Sequence, residues 1–275
     1  MRGGEVQSLE TADGKGGPGA VAWTLYTSGV YVFLYAPLAC LTVLSFNDTE
    51  SVTLPWRGFT ARWYIQAFRD DGLRAAFMNS MMLALSTVVI SVPIAVLGLY
   101  AFRRQFRLRA SMLNLVLVAL ITPAIVVGVA QSIAWNLLGL SASLFGSTLM
   151  GHVIYAIPFV FVIAYPSFRR LDPSLEEAAF DLGASERVMF WTILLPLVKP
   201  GVLASAVFAF MLSFDEFIRT FFLIGSDNTL PIYLWSMMLT SVSPEANAIG
   251  FMMIVLSVGM TLLGSRLLGQ AHRVG

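Results

Sequence analysis

Asp215, Glu216 and Arg219 sit inside the otherwise apolar stretch Gly201–Ile224. There an ionisable side chain costs at least a few kcal/mol unless it is paired or wetted. Two readings fit. Either the carboxylates line a polar path and attract a cationic solute, or Arg219, four residues beyond Asp215 and three beyond Glu216, neutralises them locally. One arginine against two acids still leaves a residual negative charge. Continued as a single helix, the stretch aligns Arg219 with Gly201, with Asp215 and Glu216 about 40° and 60° to either side. Asp215 then stands about 21 Å above Gly201, in the outer half of a bilayer core. Glu245, at the start of another apolar run, is a helix-start carboxylate, an outer-gate residue, or both. Two histidines, His152 and His272, and one cysteine, Cys40, cannot build a Cys/His metal cluster or an internal disulfide. Cys40 is expected as a small buried hydrophobe and His152 as a packed or hydrogen-bonded residue between helices. Gly14-Lys15-Gly16-Gly17 lacks the spacing and the flanking strand and helix of a phosphate loop, so no nucleotide is assigned to it.

The elements that must hold these residues are membrane spans. The chain has 275 residues, 57% hydrophobic and 12% charged, against roughly 25% charged in soluble domains. With a mean hydropathy of +0.77, this excludes an ordinary soluble globular protein, a disordered chain, a disulfide-rich module and a coiled coil. A net charge of +1 offers no basic excess for nucleic acid. Six apolar segments, Trp23–Phe46, Ala76–Phe102, Ala110–Leu138, Leu144–Phe168, Gly201–Ile224 and Ala246–Leu268, are each long enough to cross about 30 Å of hydrocarbon. Their continuity predicts an all-α polytopic membrane protein with six transmembrane helices and excludes a membrane β-barrel. Pro37, Pro93, Pro123 and Pro158 are read as kinks, which spanning helices tolerate. Residues 1–21 form a flexible polar tail, 22–270 the six-helix domain and 271–275 the end.

Of 17 Lys and Arg, Arg219 lies within a span, Arg57, Arg62, Arg69 and Arg74 fall in outer loops, and the other twelve lie on inner segments. The positive-inside rule therefore places both termini in the cytoplasm. The run Arg103-Arg-Gln-Phe-Arg-Leu-Arg109 reads as a topogenic and lipid-headgroup cluster. In the outer loop 47–75, Thr60–Arg69 is expected as a short interfacial helix with Trp63, Tyr64 and Phe68 dipping inward, serving as an anchor or a docking surface.

Between the fourth and fifth spans, residues 169–200 read as a helical hairpin. Asp172 caps, Pro173 suits the first helical position, and Glu176 and Glu177 lie at the positive end of the helix dipole. Gly183 suits a left-handed stop, Ser185 offers a second cap, and Pro196 discourages continuation. Ala178 and Ala179 leave room for another backbone to approach closely. Composition alone equally allows a purely structural hairpin. Gly201, Ser205, Ala209 and Ser213 recur every four residues, a stripe that lets helices pack closely.

Glu177-Ala178-Ala179, three residues, Gly183, nine residues and Ile193-x-Leu195-Pro196 match the EAA loop of binding-protein-dependent ABC importer permeases, and Asp181, Ala184, Ser185 and Phe190 match its commoner variants. The similarity runs over about residues 23–270. It is greatest to permeases of spermidine/putrescine importers, through Ser45-Phe46-Asn47, Gly58-Phe59-Thr60, Trp63-Tyr64, Asn79-Ser80, Ser213-Phe214-Asp215-Glu216 and Ser243-Pro-Glu245-Ala-Asn247-Ala248. One departure is Ala124, where the best-known polyamine permeases carry an acidic residue after the proline.

The resemblance implies a type I ABC importer permease fold in a bacterial inner membrane and half of a translocation pathway. It implies a second, homologous permease, two ATP-binding subunits and an extracytoplasmic solute-binding protein, with membrane lipid around them. ATP and Mg would be bound by the ATPase partners; this chain itself would hold no cofactor and catalyse no reaction. Glu177 and Gly183, with Ala178 and Ala179, would couple to the ATPases. Asp215 and Glu216, with Arg219 and Glu245, would line the path of a small cationic solute such as putrescine or spermidine. Other amino or quaternary ammonium solutes, thiamine and ferric iron fit the same family. A proton-coupled carrier using Asp215 and Glu216 as a relay leaves the hairpin unexplained and lacks an internal inverted repeat.

Overall fold

The computed structural model describes residues 18–50, 55–103, 107–240 and 243–271. The tail through Gly17, with its glycine-lysine run, and His272 with the rest of the carboxyl-terminal end lie outside the described residues, as does Arg104. A helix begins at Pro18, a residue suited to a first helical turn.

The described elements run α1 (Pro18–Leu44), α2 (Arg62–Arg69), α3 (Asp71–Arg103), α4 (Arg109–Ile121), α5 (Ala124–Leu137) and a π-turn at Leu144–Thr148 that leads into α6 (Leu149–Arg169). Then come α7 (Ser174–Asp181), α8 (Glu186–Val188), a second π-turn at Met189–Leu194, α9 (Leu195–Phe214), α10 (Ile218–Leu223), α11 (Leu230–Thr240) and α12 (Pro244–Ala271). Among the described residues the sole β pairing is an isolated bridge between Asn47 and Phe59. Five helices are long and apolar enough to span a membrane, six if the bent pair α4–α5 counts as one.

α3, α6, α9 and α12 pack together as the core. One apolar cluster joins Leu99 and Phe102 of α3, Val160 and Phe168 of α6, and Met189, Leu194 and Val198 of the hairpin's second arm. A second joins Ala84, Phe210, Phe214, Leu230 and Ile249. The small-residue stripe of α9 is buried within the chain itself. A side chain at Gly201 would run into Ser167 of α6, so the glycine is what lets these two helices touch. By contrast, α1 packs mainly on α12, and its Trp23, Tyr31, Phe33 and Tyr35 are exposed. Cys40 is exposed on this helix rather than buried, because no neighbour covers it.

Three expectations about the spans need correcting. The third is not a kinked helix. α4 and α5 meet at 105°, because Pro123 supplies no N–H and pushes Thr122 out of helical geometry to φ −72°, ψ 128°. Pro37, Pro93 and Pro158 do stay inside continuous helices. Pro196 does not end the hairpin arm: helix runs unbroken from Glu186 to Phe214. The π-turn carries the Leu195 N–H to Phe190 O, five residues back, and places Pro196 at the start of α9, where a missing donor is tolerated. The fifth span also stops early. It ends at Phe214, so the helical alignment of Arg219 with Gly201 does not occur.

At the end opposite the hairpin, the quoted family residues fold into one knot. The Trp63 indole donates to Asn47 O at 2.9 Å, the Arg57 N–H donates to Asn47 Oδ1 at 2.9 Å, and Thr60 N–H donates to Phe46 O at 2.8 Å. Ser45 and Tyr64 share a hydroxyl hydrogen bond of 2.6 Å, and Phe46 stacks on Phe59. α2 forms as expected; it turns Trp63 and Ala67 into the fold and leaves Phe68 exposed.

Candidate functional site

The hairpin is closed by local chemistry at each bend. Asp172 Oδ1 accepts the Ser174 N–H at 2.9 Å, and that bond holds its carboxyl below the ordinary carboxylate range. α7 ends in a Schellman arrangement: Ala184 N–H donates to Ala179 O and Gly183 N–H to Phe180 O, with Gly183 at φ +83°. Ser185 Oγ then accepts the Val188 N–H and starts the second arm. Glu177 and Ala178 are exposed. Ala179 faces inward, 5% exposed, and joins the core instead of the hairpin's free surface. Leu182, at the tip, is 90% exposed, an apolar side chain offered to solvent.

Arg103, read in sequence as part of a headgroup cluster, is a clamp. Its Nε donates to Glu176 Oε1 at 2.5 Å and its Nη1 to Phe168 O at 2.5 Å. The foot of α3 is thereby tied to both the end of α6 and the first turn of α7.

The acidic pair after α9 is split by the break in the helix. Asp215 closes α9 and accepts a hydrogen bond from Ser257 Oγ of α12 at 2.9 Å, on the chain's exposed face. Glu216 turns inward and pairs with Arg219 at 3.0 Å, both side chains being nearly buried. The Arg219 guanidinium also lies 3.6 Å from the centre of the Tyr155 ring. Arg219 thus neutralises Glu216, and among the described residues Asp215 forms no ion pair. Glu245 lies in the first turn of α12, near enough to Tyr233 to interact electrostatically, and Tyr233 is hydrogen-bonded to Asp70. It belongs to that outer cluster.

His152 is hydrogen-bonded between helices, as expected. Its Nδ1 meets Ser213 Oγ at 2.7 Å and its Nε2 meets Thr220 Oγ1 at 2.9 Å. Ser213 Oγ donates on to Thr87 Oγ1, and Thr220 Oγ1 donates to Glu216 O. This network braces α3, α6, α9 and α10 around the break. Thr87 and Thr220 are invisible to sequence reasoning, because an isolated threonine in an apolar run carries no signal. Asn79 and Ser80 are legible as family positions: their side chains bond Asn228 O and the Leu230 N–H and hold the turn before α11. Among the described residues no group of three or more His, Cys, Asp or Glu is placed to hold a metal ion.

The described residues thus form a helical core with five helices, six if the bent pair counts as one, long and apolar enough to cross a membrane, and an exposed hairpin continuous with one of them. Residues 77–271 match the family described as "Binding-protein-dependent transport system inner membrane component", and the chain belongs to that family. Over 252 residues it is 34% identical to the spermidine/putrescine transport system permease protein PotC of Escherichia coli K12, covering 91% of this chain and 94% of PotC. It is 30% identical over 227 residues to the putrescine transport system permease protein PotI of the same strain, covering 80% of each. A bacterial ABC transporter involved in the import of the acidic polysaccharide alginate aligns with a TM-score of 0.69 at 17% identity, covering 92% of this chain and 99% of that one. An inward-facing methionine transporter, MetNI, aligns at 0.59 and 18% identity, covering 79% and 100%. The fold is that of ABC importer permeases.

Proposed function

We propose that the chain forms half of the translocation path of an ATP-driven importer for a small cationic solute, a polyamine such as putrescine or spermidine. The observation that carries this reading is the unbroken helix from Glu186 to Phe214, which joins the exposed hairpin tip to the Asp215 carboxylate. One of two ATP-binding subunits, which hold ATP and Mg, docks on Glu177, Ala178, Gly183 and the bare Leu182 of this hairpin, and the other docks on the second permease. Their closure moves α9 through the hairpin and changes access to Asp215. A second, homologous permease covers the free face of α1 and supplies the other half of the path. An extracytoplasmic solute-binding protein delivers the solute at the outer knot, and the arginine-rich hairpin end and both termini face the cytoplasm.

The polyamine assignment rests on the names of PotC and PotI together with an unneutralised carboxylate at Asp215; Ala124 removes one acidic position from that path. Asp215 is the principal attractor of the solute, Glu245 a secondary outer charge, and the Glu216–Arg219 pair a fixed support for the break. The test is ATP-dependent uptake of labelled putrescine and spermidine into vesicles carrying the whole transporter. Asp215→Asn is expected to lower uptake severalfold while the complex with the ATPase still assembles. Uptake at the wild-type rate removes Asp215 from the path, and uptake driven by a proton gradient with ATP depleted overturns the importer reading.

A further inference from the structure

Three arginines close three different spans at the hairpin end: Arg103 is the last residue of α3, Arg109 the first of α4 and Arg169 the last of α6. Residues that terminate apolar spans stand at headgroup depth. Between these three lies a cavity of about 230 Å³, walled by Phe102 and Tyr165 and bounded by Glu176 on the hairpin side. Arg103 is committed to Glu176 and to Phe168 O. Arg109 is stacked with its guanidinium 4.6 Å from the Phe102 ring centre, which fixes its direction without satisfying its charge. Among the described residues, neither Arg109 nor Arg169 forms an ion pair with a carboxylate. Three guanidinium groups against one carboxylate leave the cavity with two positive charges in excess, beside aromatic walls.

That combination suits an anion with an apolar body attached. A phosphodiester presents paired oxygens to a guanidinium fork, and its acyl chains extend along the spans that the arginines terminate. Basic pockets between spanning helices on the cytoplasmic side suit anionic headgroups for this reason. We propose that this cavity binds the phosphate of an anionic membrane phospholipid through Arg109 and Arg169, at the base of the hairpin. The lipid would stand beside the Arg103–Glu176 clamp and make the hairpin's seating dependent on membrane composition. The site is independent of which solute is carried, and its test reads lipid and not uptake, so its failure leaves the importer reading untouched.

The purified full-length chain is titrated in detergent with phosphatidylglycerol or phosphatidylcholine, and bound lipid is counted by native mass spectrometry. Phosphatidylglycerol should be retained in preference to phosphatidylcholine. Arg109→Gln with Arg169→Gln should weaken its retention on the order of tenfold, whereas Arg109→Lys with Arg169→Lys keeps most of it. Arg266→Gln, at the exposed end of α12 and away from the cavity, should change nothing. Should the double glutamine variant not fold, Arg169→Gln alone, whose side chain is exposed, must still lower retention. Equal retention by the glutamine variants, or an equal loss with Arg266→Gln, overturns the site. Displacement of phosphatidylglycerol by millimolar inorganic phosphate assigns the cavity to a soluble anion and overturns the lipid.

Discussion

Arg103 Nε donates to Glu176 Oε1 at 2.5 Å, joining residues 73 positions apart in sequence at the point where the hairpin leaves the bundle. The two side chains are only 13% and 21% exposed. A charged hydrogen bond shielded from water in this way contributes more than a surface pair.

Glu176→Gln should therefore destabilise the chain by about 1.5–3 kcal/mol, the range for hydrogen bonds to charged groups. Glu177→Gln, one residue on but exposed, should stay within about 0.5 kcal/mol of wild type. ATP-driven uptake should fall in both, through a loosened clamp in the first and a lost docking charge in the second. Thermal unfolding in detergent, measured beside vesicle uptake, separates the two.

Gly183→Ala tests the bend alone. At φ +83° a side chain is strained, yet an added Cβ would meet nothing within 4 Å, so no clash contributes. The expected cost is about 1–2 kcal/mol, all of it backbone. Gly183→Asn should cost less, because asparagine tolerates the left-handed region. A ranking of Gly, Asn, Ala in both unfolding midpoint and uptake is the expected result.

Glu216 and Arg219 are 10% and 4% exposed, so each neutralising change leaves its partner charged and nearly buried. Glu216→Gln and Arg219→Gln should each cost about 3–5 kcal/mol. The double variant should cost clearly less than their sum, because no lone charge remains. A double-mutant cycle on unfolding in mixed micelles measures the difference; additive losses would mean that the pair is not coupled.

Asp70 gives the outer end a pH dependence. Burial pushes its carboxyl up, but hydrogen bonds from Tyr233 and from the Leu73 and Gly72 N–H groups outweigh burial and bring it below the ordinary range. A carboxylate lowered on folding stabilises fully above its unfolded pKa of about 4 and loses that contribution as pH falls through the lowered folded value. Tyr233→Phe removes one donor, so the contribution present at neutral pH shrinks and its loss on acidification is complete at a higher pH. Unfolding midpoints of variant and wild type, recorded from pH 7 to pH 3, should be furthest apart at neutral pH and converge as the pH falls.

Much of this arrangement is legible in the residues, and what is not has physical reasons. The hairpin is local chemistry: Asp172, Gly183 and Ser185 each dictate their own bend, and all three do so in the structure. Five of the expected spans correspond to long helices because sustained apolar runs leave no other choice. The break after Phe214 carries no proline or glycine. It is held by His152, Ser213 and Thr220 across helices about 60 residues apart in sequence, which no local pattern records. Pro196 and Pro123 are the same residue type with opposite outcomes, since a π-turn absorbs one and nothing absorbs the other. Arg103 misleads because a positive charge at a span end fits a headgroup as well as it fits Glu176.

The 29 residues from Glu186 to Phe214 form one stiff lever, about 43 Å long at 1.5 Å per residue. Rocking its hairpin end by about 5° sweeps the Asp215 end through about 4 Å, more than the width of a water molecule. The Asp215 end can thus be displaced with every backbone bond of that helix left as it is, by angle alone.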